Sequence, residues 1–254
     1  MKVKVYNKQG ATRKEAELGP AFEADLRVDV IRKAVNAAQA NRRQPYGSWR
    51  WAGMLHPQQS VRSGSGISRV PRMTQGNTAV LSPAVVGGRR AHPPKPEKVW
   101  AEKINRKEKA LAFRSALAAT AKPDVVAARG HRFKEGITTP LVVEDGFAGL
   151  SKTKDVLAAL AALGVGDDLA RALRGHRRRP GVGKLRNRPY RTPVSVLLVT
   201  HSREGLYAAG RNLRGVEVVT PADVNVERLA PGGDPGRLMI VTESALKVLQ
   251  ERAS

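Results

Sequence analysis

Apolar residues follow two regular patterns along this chain, separated by a long stretch that has neither. Met1-Lys2-Val3-Lys4-Val5-Tyr6 alternates apolar with basic positions, which predicts a strand over Val3–Tyr6. Asn7–Gly10 reads as a turn leading to a short return strand near Ala16–Leu18. Residues 28–40 predict a helix, because Val30, Ile31, Ala34, Val35 and Ala38 recur at one-turn spacing and Asp25 or Asp29 suits its N-terminal end. Helical spacing returns at 101–121, with Ile104, Ala110, Leu111, Phe113, Ala116 and Leu117 on one face. An α/β alternation follows: strand Leu141–Val143, a helix over Lys152–Leu163 with Val156, Leu157, Leu160 and Leu163 inward, and strand Val194–Val199. Then come a helix near Arg203–Asn212, strand Val216–Val219, a turn or short helix at 221–225, strand Leu238–Val241 and a closing helix at 243–252. Continuous Val, Leu and Ile strands separated by helices predict an α/β fold with a mostly parallel sheet and helices on both faces.

Between Asn41 and Lys98 both periods vanish. Gly, Ser, Gln, Pro and Arg dominate, and Trp49, Trp51, Met54, Leu55, Ile67, Val80, Leu81, Val85 and Val86 are scattered rather than patterned. A patternless segment of this length inside a compact domain is functional or disordered. Its tryptophans and aliphatic residues argue against simple disorder, so the reading is an extension that orders against a partner. The expected organisation is a globular body of 1–41 and 99–254 carrying a long non-globular loop, 42–98. At 254 residues the chain is long enough for such a body to bury a real core.

Charge is unevenly placed along the chain. Residues 30–96 contain eleven Lys or Arg and no acid, and residues 169–203 hold ten more, again without one. Those two windows account for +21 of a formal +23, so the charge is concentrated rather than general. Concentrated, acid-free basic stretches point to a polyanion, nucleic acid before an anionic membrane surface. The second window, Arg174 to Arg188, places arginine forks suited to phosphate oxygens among Gly and Pro residues. A solvated loop is the bland alternative, but so many like charges without an acid repel one another. No cysteine is present, which excludes disulfides and thiolate zinc sites. The N-terminus lacks a signal peptide's apolar core and no apolar run is long enough to span a bilayer, so a soluble intracellular protein is expected.

Catalytic chemistry has little to stand on. Gly181-Val182-Gly183-Lys184 superficially resembles a phosphate-binding loop, but it lacks the preceding strand, the glycine spacing and the hydroxyl residue after the lysine, where Leu185 stands. Gly64-Ser65-Gly66 follows no strand and opens no helix, which rules out a dinucleotide fingerprint. Glu144, Asp145, His201 and Asp223 sit at strand ends, where turn and capping roles compete with catalytic ones. The five histidines (His56, His92, His131, His176, His201) show no ligand spacing, so no metal and no cofactor are expected. Aromatic residues are scarce, although Tyr46, Trp49 and Trp51 cluster at the base of the loop, positioned to pack on the body or on a base.

Five segments, in order along the chain, resemble one family, the universal large-subunit ribosomal protein four in its archaeal and eukaryotic form. They are Asn41-Arg42-Arg43-Gln44-Pro45-Tyr46-Gly47, Ser68-Arg69-Val70-Pro71-Arg72 and Gly87-Gly88-Arg89-Arg90-Ala91-His92-Pro93-Pro94. The others are Ile104–Glu108 through Arg114–Thr120, and Thr242-Glu243-Ser244-Ala245-Leu246. Val61-Arg62 departs from the pattern, standing where relatives often have an aromatic residue followed by glycine.

The resemblance implies a non-enzymatic structural protein of the cytoplasmic ribosome. Its body would lie on the ribosome surface and its loop would thread large-subunit ribosomal RNA. The loop tip, about 62–73, would line the constriction of the nascent-peptide exit tunnel through Gly64, Ser65, Gly66, Arg69, Val70, Pro71 and Arg72. Expected RNA contacts are Arg42, Arg43, Arg50, Arg62, Arg69, Arg72, Arg89, Arg90, His92 and Lys95 in the loop. Arg174, Arg177, Arg178, Arg179, Lys184, Arg186 and Arg188 are expected in the second window. Partners would be the rRNA, neighbouring ribosomal proteins and the passing polypeptide, with no membrane and no small-molecule substrate. Two rivals explain the charge less completely. An RNA-modifying or RNA-cleaving enzyme needs a glycine loop or converging carboxylates, and an architectural DNA protein leaves the long loop unexplained.

Overall fold

A computed structural model of the chain describes residues 1–253, which divide into two compact units, 1–39 with 102–253, and 40–101. The first unit opens with β1 (Lys2–Tyr6) and β2 (Thr12–Glu17), paired antiparallel, followed by α1 (Val28–Asn41). The return strand starts earlier than its apolar residues indicate. Asn7 closes the turn with its own side chain, whose Oδ1 accepts from the backbone N–H of Gln9 at 3.0 Å and of Ala11 at 2.9 Å, so pairing begins at Thr12.

Within the second unit lie β3 (Gln58–Gln59) and β4 (Arg72–Met73), an antiparallel pair. The first unit resumes with α2 (Arg106–Thr120), α3 (Pro123–Ala128), β5 (Leu141–Val143), α4 (Thr153–Ala162) and α5 (Gly166–Arg174). Next come a small hairpin, β6 (Arg177–Arg178) and β7 (Tyr190–Arg191), then β8 (Leu197–Val199), α6 (Gly205–Arg211) and β9 (Glu217–Val219). The chain finishes with α7 (Val226–Leu229), β10 (Met239–Thr242) and α8 (Glu243–Ala253).

Six strands form one sheet in the order β2-β1-β5-β10-β8-β9, parallel throughout except for the edge strand β2. Strand alternation sorts the core into two layers. Val3, Val5, Val142, Leu197, Val199, Met239 and Val241 face α1, α2 and α8. Leu141, Val143, Leu198, Val218 and Ile240 face the other way, toward Val156 and Leu160 of α4 and Leu206 of α6. The fold is thus α/β with a mostly parallel sheet.

Several inward faces differ from the periodicity by a position or two. In α1 Ala37 is buried and Ala38 exposed; in α4 Ala159 is buried and Leu157 is exposed. α2 begins only at Arg106, and the turn that would have buried Ala110 and Leu111 leaves both exposed. Alanine-rich faces carry too little side-chain contrast to fix the angle of a helix.

Polar pins tie the layers together. Asp168 of α5 is fully buried and accepts from Ser195 Oγ at 2.5 Å, Arg171 Nε at 2.9 Å and the Arg132 backbone N–H at 3.0 Å, with His131 Nδ1 at 3.1 Å. Burial alone would push this carboxyl up; hydrogen bonds from His131, Arg171 and Ser195 outweigh it and hold the group well below the usual carboxylate range. Buried Arg237 donates to Glu217 at 2.7 Å and to the carbonyl of Ser195 at 3.0 Å, and Glu217 also holds Arg228 at 3.0 Å.

Candidate nucleic-acid interface

The unit Ala40–Ala101 carries ten Lys or Arg and a single acid, Glu97, and Val80 is its one buried residue. With no hydrophobic core to shape it, backbone and glycine geometry take over. β3 and β4 close the loop that carries residues 60–71. Val80 N–H donates to the carbonyl of Pro71 at 2.8 Å, and Met73 N–H to that of Thr78 at 3.0 Å. Where two limbs of the unit pass each other, Gly53 (φ 77°) leaves no room for a side chain, since a Cβ there would lie 2.6 Å from the backbone of Gly88 and Arg89.

At the expected tip, Gly64 and Gly66 adopt φ of 85° and 67° with open space around them, and Ser65 Oγ donates to the carbonyl of Arg62 at 2.9 Å. Val70 and Pro71 are half-buried. Arg69 is exposed. Arg72 is half-buried, and its guanidinium donates to the carbonyls of Asn77 at 2.5 Å and Ser68 at 3.4 Å. Arg69 therefore presents free charge, while Arg72 holds the turn. Arg42, Arg43, Arg50, Arg62, Arg89, Arg90, His92 and Lys95 are exposed. Arg42 apart, none of these basic side chains makes an ion pair among the described residues. Trp49 and Trp51 are also exposed, whereas Tyr46 stacks on Trp100 with ring centres 5.7 Å apart.

The second basic window is a hairpin, which arginine-rich strands without an apolar period do not announce. β6 pairs antiparallel with β7, setting Arg177 opposite Arg191 and Arg178 opposite Tyr190. Its stem is braced by the His176–Thr192 side-chain hydrogen bond at 2.8 Å, by His176 stacked on Tyr190 at 4.9 Å, and by Arg179 N–H donating to the carbonyl of Pro189 at 2.8 Å. Gly181–Lys184 forms a short 3-10 turn at its end. Arg174, Arg177, Arg178, Arg179, Lys184, Arg186 and Arg188 are all exposed and unpaired with any carboxylate among the described residues. Like charges directly opposite on paired strands repel, and Arg177 and Arg191 are so placed.

Three of the four strand-end residues that competed for a catalytic role are otherwise engaged. Glu144 pairs with Arg13 at 3.1 Å, and Asp223 with Arg203 at 2.9 Å and Thr220 at 2.8 Å. Asp145 caps α8, its Oδ1 accepting from Ser244 N–H at 3.0 Å and Oγ at 2.6 Å. His201 is exposed. Among the described residues no cluster of His, Asp and Glu has the makings of a metal site, and no helix is long and apolar enough to cross a membrane. The buried Asp168 group, invisible to periodicity, joins residues 131, 168 and 195. Ser195 donates to the carboxylate and not to His131, so it is a structural pin and lacks the order of a nucleophilic triad.

Residues 16–252 match the profile of the Ribosomal protein L4/L1 family. The chain is 47% identical over 252 residues to the large ribosomal subunit protein uL4 of Methanothrix thermoacetophila, covering 99% of this chain and 100% of that one. It is 46% identical to the proteins of the same name from Haloquadratum walsbyi (99% and 100% covered) and Methanocaldococcus jannaschii (99% of both). Matches of this length and identity, in a chain with an α/β body and two strongly basic segments, place it in the Ribosomal protein L4/L1 family, a family of structural ribosomal proteins and not of enzymes.

Proposed function

We propose that the chain is a structural constituent of the large ribosomal subunit in the cytoplasm, binding and shaping large-subunit rRNA through residues 42–98 and the β6–β7 hairpin. The tip, about 62–73, forms part of the wall of the nascent-peptide exit tunnel, with Arg69 turned to RNA or to the passing polypeptide. Neighbouring large-subunit proteins meet the α/β body. The observation that carries this reading is a pair of exposed, strongly cationic surfaces, one of them on a unit with ten Lys or Arg, a single acid and a single buried residue, Val80.

Ordering backbone costs about 1–2 kcal/mol per residue, and a unit with no core offsets little of that internally. Many phosphate contacts made at once supply the difference, and each releases counterions, so affinity falls with salt at a log–log slope of roughly −0.7 to −0.9 per contact. Arginine forks on phosphates and 2′-hydroxyls set register, and recognition follows RNA shape more than base sequence.

The test is sucrose-gradient sedimentation of a tagged chain from lysate under a high-salt wash, with crosslinked RNA sequenced. Retention on large subunits, with loop crosslinks to rRNA around the exit tunnel, is the expected result. Sedimentation as free protein, or salt-labile binding to mixed RNA and DNA, would overturn it.

A further inference from the structure

At the foot of the basic unit lies a niche of about 500 Å³ lined by the rings of Tyr46, Pro93, Pro94 and Trp100, with Lys95, Glu97 and Lys98 completing it. Its volume falls within the roughly 300–1,000 Å³ range of small-ligand sites. The lining is flat and apolar. Tyr46 and Trp100 stack at an interplanar angle of 19°, yet Tyr46 remains 56% exposed, so a stacking face is open. Cations surround it: Arg43 lies 4.5 Å and Lys98 4.3 Å from the Trp100 ring centre, and Lys95 is exposed beside them. The indole N–H of Trp100 is shielded from solvent and has no acceptor. Flat rings ringed by cations are how proteins hold an unstacked base with its phosphates.

Glu97 narrows the ligand further. It is the one acid between Asp29 and Glu102, and it makes no ion pair among the described residues. A carboxylate facing RNA repels the phosphate backbone, and it becomes favourable when it accepts hydrogen bonds from a base edge. Guanine presents two adjacent N–H donors on its Watson–Crick edge, a fork that matches both carboxylate oxygens. Adenine and cytosine present only an amino group there, and uracil a single N–H. We propose that this niche captures one unpaired guanine of the bound RNA, stacked on Tyr46 with its Watson–Crick edge on Glu97 and its phosphates on the flanking cations. The inference rests on the rRNA-binding reading above and adds a base-specific site to it.

The test uses the full chain and five RNA hairpins identical except for one bulged position: G, A, C, U or an abasic sugar. Affinity is measured at fixed salt and across a salt series, alongside binding to purified large-subunit rRNA. The bulged-G hairpin is expected to bind roughly ten-fold more tightly than the abasic one, the order of factor that one stacked base carries. Tyr46→Ala should erase that margin. Glu97→Gln should keep an advantage over the abasic hairpin and lose the preference for G over U. Equal, steeply salt-dependent affinity for all five hairpins would overturn the niche while leaving the rRNA reading in place. A G margin that survives Tyr46→Ala overturns it as well, and failure to bind purified rRNA at low salt removes both.

Discussion

The α/β body and the unit Ala40–Ala101 handle charge in opposite ways. In the body, carboxylates are matched internally: Glu217 joins Arg228 and Arg237, and Asp168 collects His131, Arg171 and Ser195. In the other unit ten cations face a single carboxylate, and one side chain, Val80, is buried. The β6–β7 hairpin follows the second rule although it belongs to the first unit, with arginines facing across its strands. One chain thus contains a part in which the buried charges Asp168 and Arg237 are paired within the fold and parts in which Arg69, Arg177 and Arg191 have no ion pair among the described residues.

That contrast can be broken from either side. The largest effect is expected from Asp168→Ala, which strands His131 and Arg171 in the interior and costs about 3–5 kcal/mol in denaturant titration. RNA affinity below the unfolding transition should be unchanged. Acid sharpens the same point. The folded Asp168 value lies below its unfolded value of about 3.9, so its stabilisation is fully present above about pH 4 and is lost progressively as pH falls below that. The stability gap between wild type and the alanine variant should therefore narrow below pH 4.

On the other side, Arg62, Arg69, Arg89 and Arg90 replaced together by Gln should reduce the salt slope of rRNA binding by roughly 2.8–3.6, at 0.7–0.9 per contact. Each exposed substitution should shift stability by no more than about 0.5 kcal/mol. An unchanged slope would mean these residues do not meet phosphate. The smallest effect belongs to Arg191→Glu, which turns an opposed like pair into a cross-strand ion pair. It should stabilise the free chain by about 0.2–1 kcal/mol while weakening rRNA binding.

Much of the body was legible in the sequence because buried parallel strands are nearly pure Val, Leu and Ile. Leu141–Val143 coincides with β5 residue for residue, and the helices around α1, α4 and α8 follow their periodicity within a position or two. Short elements escaped. α3 is six residues long, and α5 runs into an arginine-rich window that hides its Leu169–Ala172 face. The two-residue hairpin strands have no period to read. The Asp168 cluster was missed because its members lie 37 and 27 residues from the aspartate, and Asp168 stood out only as the last acid before a basic run. The aromatic grouping was only partly right: Tyr46 finds its partner in Trp100, 54 residues on in sequence, while Trp49 and Trp51 stay exposed.

The opposition of Arg177 and Arg191 has a kinetic side. A strand pair whose opposed arginines repel is less stable than its hydrogen bonds alone would make it, and a phosphate between the two arms would remove that repulsion. Under the proposed function the hairpin would act as an electrostatic latch, held more firmly once a phosphate is seated against it than before. Its effect would appear in the dissociation rate more than in the rate of encounter.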